Sequence, residues 1–161
     1  MKSILLFAPA LCALALSGAS AQAAAVKLPH NIVMTSPMTG QPGSNAVVGT
    51  WLTSYDGGVH STFTQWHKDG TTSQIVDFAP KTGNVQLGNW KVNGDGTLSL
   101  YLIGWSFDPK GNNLTGYFTK TETDTVSGNA YSGDFEVTFY DLGGNILFQH
   151  QGTLAATPVG H

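Results

Sequence analysis

The sequence predicts an all-β domain, an eight-stranded antiparallel up-and-down β-barrel. Three observations lead there. From residue 47 onward the chain divides into eight short runs rich in alternating, β-branched and aromatic residues. Asp, Asn and Gly turn signals separate the runs, and no connection holds an amphipathic crossover helix. The composition agrees, with 20 Gly and only 11% charged residues, as tight turns and pleated surfaces require. Eight hairpin-linked strands can close on themselves, which removes sheet edges. A two-sheet sandwich is the alternative packing.

The barrel domain is expected over 47–157, with a short tail at 158–161. Before it, Met1 and Lys2 give a positive start, 4–16 is an apolar run, and Ala21-Gln22-Ala23 has the small-x-small form of a cleavage site. This reads as a signal peptide over 1–23, and it places the mature protein in the periplasm or outside the cell. The apolar run is too short for a stable span, so no stable membrane insertion of the mature chain is expected. The single cysteine, Cys12, falls inside the leader; the mature domain then has no disulfide and must be held by its core. Residues 24–46, with three prolines, two glycines and no periodicity, form a lead-in.

The first strand, 47–55, alternates, with Val47, Gly49, Trp51, Thr53 and Tyr55 on one face. Asp56-Gly57-Gly58 turns the chain into a second strand, 59–67, which Lys68-Asp69-Gly70 closes. The third, 71–78, is rich in Thr, Ile and Val. A loop follows before the hairpin made by 85–92 and 98–107 about Asn93-Gly94-Asp95-Gly96, residues that tolerate the positive φ of a tight turn. In 98–107, Leu98, Leu100 and Leu102 point one way and Tyr101, Ile103, Trp105 and Phe107 the other. A strand apolar on both faces is covered on both. The leucine face, taken as exterior, could pair into a homo-dimer. The sixth strand, 114–123, is Thr-rich and half polar, and Glu122 and Asp124 are expected at its solvated end. The seventh, 131–140, places Tyr131, Phe135, Val137 and Phe139 on one face; the eighth, 146–156, does the same with Ile146, Phe148, His150 and Leu154.

Gly49-Thr50-Trp51 at the first strand resembles the G-x-W start of the calycin superfamily, the lipocalin-like barrels. The hairpin turns Asp69-Gly70-Thr71 and Asp95-Gly96-Thr97, and the D-x-x-G-N turns at 108–112 and 141–145, are similar to those of small exported bacterial barrels of that type. The barrels of allene oxide cyclases and dirigent proteins are a second likeness, in architecture alone. The resemblance implies a ligand cavity without naming the ligand.

The charge pattern narrows the partners. The chain has seven Lys, no Arg and ten acids, so nucleic acid and phosphate, which basic clusters and Arg forks grip, are not expected partners. No P-loop, Rossmann, G-x-S-x-G or H-E-x-x-H pattern occurs, and no cofactor or metal is expected. Trp51, Trp66, Trp90, Trp105, Tyr117, Tyr131, Phe135 and Phe139 are the candidates to line a cavity, or simply to fill the barrel.

Four residues are candidate catalysts. His60 shares the phase of Trp66, and His150 that of Phe148 and Leu154, so the two imidazoles could face each other across the cavity. Asp77, between Val76 and Phe78, could be a buried acid paired with Tyr or His, and Tyr101 offers a hydroxyl. Asp56, Asp69, Asp95, Asp108 and Asp141 read as turn residues. The expected function is binding of a hydrophobic or aromatic small molecule. A cofactor-free cyclase, isomerase or lyase in the same cavity is one alternative, and a filled structural or partner-binding barrel is the other.

Overall fold

The computed structural model describes residues 46–160. The leader expected over 1–23 and the lead-in expected over 24–46, Ala46 apart, lie outside the described residues. The strands are β1 (Gly49–Tyr55), β2 (His60–Trp66), β3 (Thr71–Val76), β4 (Val85–Val92), β5 (Leu98–Phe107), β6 (Leu114–Ser127), β7 (Ala130–Asp141) and β8 (Ile146–Pro158), and a 3₁₀ turn at Pro80–Thr82 lies between β3 and β4. Each strand pairs antiparallel with the next, and β8 pairs back onto β1, so the sheet closes into a barrel. The barrel, and not the sandwich, is the fold. Among the described residues no helix is long and apolar enough to cross a membrane.

The turns follow from their Asp residues. Asp69 Oδ1 accepts from the backbone N–H and the hydroxyl of Thr71, and Asp95 does the same with Thr97. In the two longer turns Asp108 holds Asn112 N–H and the Asn113 amide, while Asp141 holds both donors of Asn145. These bonds to the ionised form hold all four carboxyls below the usual range.

The interior is graded along the barrel axis. One end is sealed by Trp51, Trp66, Trp90 and Tyr131, packed edge to face with centroids 5.0–5.5 Å apart. Trp51 Nε1 donates to Val47 O at 2.8 Å and Trp90 Nε1 to His67 O at 2.9 Å, which fixes both rings. Leu98, Leu100 and Leu102 point inward and are buried, completing this plug with Val92 and Ala156. The leucine face is therefore core and offers no exterior for dimerisation. The exposed apolar stripe lies elsewhere, where Leu52, Phe63, Ile75 and Val85 run side by side across β1 to β4.

Candidate functional site

The opposite end of the barrel is open. A cavity of about 400 Å³ enters there, walled by Val59, Val76, Phe118, Val137, Phe139 and Phe148, with Phe135 deeper in. Strand phase explains the wall. On β7, Phe135, Val137 and Phe139 alternate inward; opposite them on β8 stand Gly152, His150 and Phe148 in register. Phe139 packs against Phe118 at 5.2 Å and Phe148 at 6.1 Å.

Two His–Asp pairs stand at the mouth. His60 Nδ1 lies 3.4 Å from Asp77 Oδ1, and Asp77 also accepts from Ser61 N–H. His150 Nε2 lies 2.8 Å from Asp56 Oδ2. Both imidazoles line the same cavity. Asp56 sits in the β1–β2 turn with φ +50°, and a Cβ at Gly152 would collide with its carboxyl, so Gly152 is what admits Asp56 to β8. The bond to His150, reinforced by Thr153 N–H, holds the Asp56 carboxyl below its ordinary value. Asp77 does pair with a histidine, yet it is half exposed and not a buried acid.

Beneath the cavity lies a polar cluster. The run Thr119-Lys120-Thr121-Glu122-Thr123-Asp124-Thr125 alternates, and the register of β6 turns Lys120, Glu122 and Asp124 inward together with Phe118. Lys120 Nζ donates to Tyr55 Oη at 2.7 Å, Gln74 Oε1 at 2.5 Å and Glu122 Oε1 at 3.0 Å, so all three ammonium protons are used. The ammonium also stands 4.2 Å above the Tyr55 ring. Tyr55 Oη donates to Glu122 Oε1 at 2.6 Å. Burial pushes the Lys120 ammonium down against the opposing pull of Glu122; burial, and then Glu122, push the Tyr55 phenol well up. Lys120 and Tyr55 both reach the cavity floor.

Asp124 lies deeper, fully buried, and neither carboxyl oxygen has a hydrogen-bond partner among the described residues. Burial first, then the Glu122 charge, raises it to about 8, so at neutral pH it is mostly the uncharged acid. Glycine is required opposite it: a Cβ on Gly133 would collide with the Thr123 carbonyl oxygen and meet Asp124 Oδ1 at 2.5 Å. The expectation that Glu122 and Asp124 are solvated is thus overturned. β6 runs on to Ser127, so neither acid is at a strand end, and a closed barrel must turn one face of each strand inward.

The other candidates separate cleanly. His60, His150, Phe135 and Phe139 meet at the cavity. Trp51, Trp66, Trp90 and Tyr131 pack in the core at the sealed end, apart from this cavity. Tyr101, Trp105 and Tyr117 are in the opposite phase and lie on the outer wall, where Trp105 faces Tyr117 across β5–β6 and Tyr117 stacks on Tyr140 at 4.8 Å. Burial, then Tyr140 and Tyr117, push the Tyr101 phenol up to about 12. Sequence reasoning missed Lys120, Glu122, Asp124, Tyr55, Gln74 and Gln86. The available signal was phase: Lys120, Glu122 and Asp124 alternate with Phe118, and Tyr55 with Trp51. No family model, curated protein or solved structure matches this chain.

Proposed function

We propose that this chain is an exported barrel that takes an apolar or aromatic small molecule into the open end of its interior. The observation that carries the reading is the cavity itself, about 400 Å³ with phenylalanine and valine walls and a few polar groups at its floor. That volume and lining suit a small ligand. Gln86 Oε1, buried in the wall without a hydrogen-bond partner among the described residues, favours a ligand carrying a hydroxyl or N–H donor. The leader pattern at 1–23 supports a periplasmic or secreted location. Eight-stranded closure and the Gly49-Thr50-Trp51 start support a place among calycin-like barrels.

Native mass spectrometry of protein purified from the periplasm, repeated after denaturation, tests the reading. A reproducible extra mass lost on unfolding is expected. An apo mass that stays unchanged when apolar aromatic alcohols are added would overturn it.

A second reading is a cofactor-free enzyme acting in the same cavity. The paired imidazoles at the mouth, each against a carboxylate, favour it, because such pairs orient a proton-transfer group. Turnover of a bound compound that His60→Ala and His150→Ala both abolish, with retention of the compound intact, would single it out.

A further inference from the structure

Lys120 is unlike the other lysines of the described domain. Lys68, Lys81, Lys91 and Lys110 are exposed. The side chain of Lys120 is only 6% exposed, and it lines the cavity. Its nitrogen is 3.0 Å from a carboxylate and 2.7 Å from a phenol, and these two are also joined to each other at 2.6 Å. An amine at the floor of an apolar pocket, with a proton acceptor and a proton relay in contact, is the arrangement that carbonyl condensation needs.

We propose that Lys120 captures a hydrophobic aldehyde or ketone as a Schiff base, with Glu122 and Tyr55 moving the protons. The inference rests on the cavity being a ligand site. Glu122 first takes one proton from the ammonium, leaving a neutral amine. The nitrogen lone pair attacks the carbonyl carbon, a C–N bond forms, and the C=O π pair moves onto oxygen. Tyr55, bonded to both Lys120 and Glu122, relays a proton from nitrogen to that oxygen and gives a carbinolamine. Glu122 returns its proton to the hydroxyl, the C–O bond breaks and water leaves. One ammonium and one carbonyl compound give one protonated imine and one water, with no oxidant or reductant. Burial favours the neutral amine that begins the sequence.

The test treats the purified protein with one equivalent of 2-naphthaldehyde and cyanoborohydride, followed by intact mass measurement and peptide mapping. A parallel titration follows the fluorescence of 2-naphthalenemethanol, which has the same ring and no carbonyl. The expected result is one adduct, of the aldehyde's mass less one oxygen, mapped to Lys120. It is lost in Lys120→Arg, which keeps the charge but forms no stable imine. Mapping of the unsubstituted protein decides the site even where the variant does not fold. Binding of the alcohol without a Lys120 adduct, or adducts spread over the exposed lysines, overturns the inference and leaves the cavity reading standing. Binding of neither compound overturns both.

Discussion

Lys120 and Glu122, one pleat repeat apart on β6, meet inside the barrel at 3.0 Å with side chains 6% and 0% exposed. Removing one partner strands the other in a poorly solvated interior. Lys120→Met is therefore expected to cost about 3–5 kcal/mol of unfolding free energy. The double variant Lys120→Met/Glu122→Leu should recover much of that loss, because no unpaired charge remains. Urea unfolding of the two singles and the double gives the coupling directly.

Asp124 sets a pH dependence of unusual sign. Its folded value of about 8 lies above the ordinary carboxylate value of 3.8, so the native state binds more protons than the unfolded chain between them. Stability should fall as pH rises through that window, by up to about 1.4 kcal/mol per pH unit. Below the window both states hold the proton, and above it neither does, so the slope vanishes at each end. Asp124→Asn should flatten the slope. An unchanged slope in urea unfolding across the window would rule Asp124 out as its source.

The contrast between these two sites and the rest of the barrel shows what the sequence made legible. Turn chemistry and period-two alternation located all eight strands, and the shared phases of His60 with Trp66 and His150 with Phe148 brought both histidines to one cavity. What stayed hidden was the direction of β6. An alternating Thr and charged run is ambiguous, because charges ordinarily face water and threonine suits either face. Only closure of the sheet, which fixes each strand's inward phase through its neighbours, turns Lys120, Glu122 and Asp124 inside. The same ambiguity left open whether Trp51, Trp66 and Trp90 line a cavity or fill the barrel, since periodicity gives the face of a residue but not its depth along the axis.

At the mouth, Gly152 controls Asp56. Gly152→Ala would push its methyl into the Asp56 carboxyl and displace it from His150. The Asp56 titration, read by carboxyl carbon NMR, should move up toward the ordinary carboxylate value. In the unsubstituted protein the depressed Asp56 contributes stability above the ordinary carboxylate range and loses it as pH falls through the depressed value. That acid-side loss should shrink in the variant.

Phe148 separates binding from folding. The residue is 57% exposed at the mouth, where its ring packs on Phe139 and stacks on His150. Phe148→Ala should change unfolding free energy by less than about 1 kcal/mol. It should weaken an apolar aromatic probe roughly tenfold, because a ring-sized apolar contact with the ligand is lost. Paired thermal melts and probe titrations check both.

The most direct measurement is a titration of N-phenyl-1-naphthylamine, followed by its fluorescence, into the unsubstituted protein and Val137→Trp. Val137 faces the cavity from the middle of β7 beside His150, so an indole there would occupy the space assigned to the ligand. The expected result is one blue-shifted probe per barrel in the unsubstituted protein and loss of that signal in a variant that still melts cooperatively. Equal binding by the two proteins, or none by the unsubstituted protein, would contradict the assignment of the open-end cavity as the ligand site.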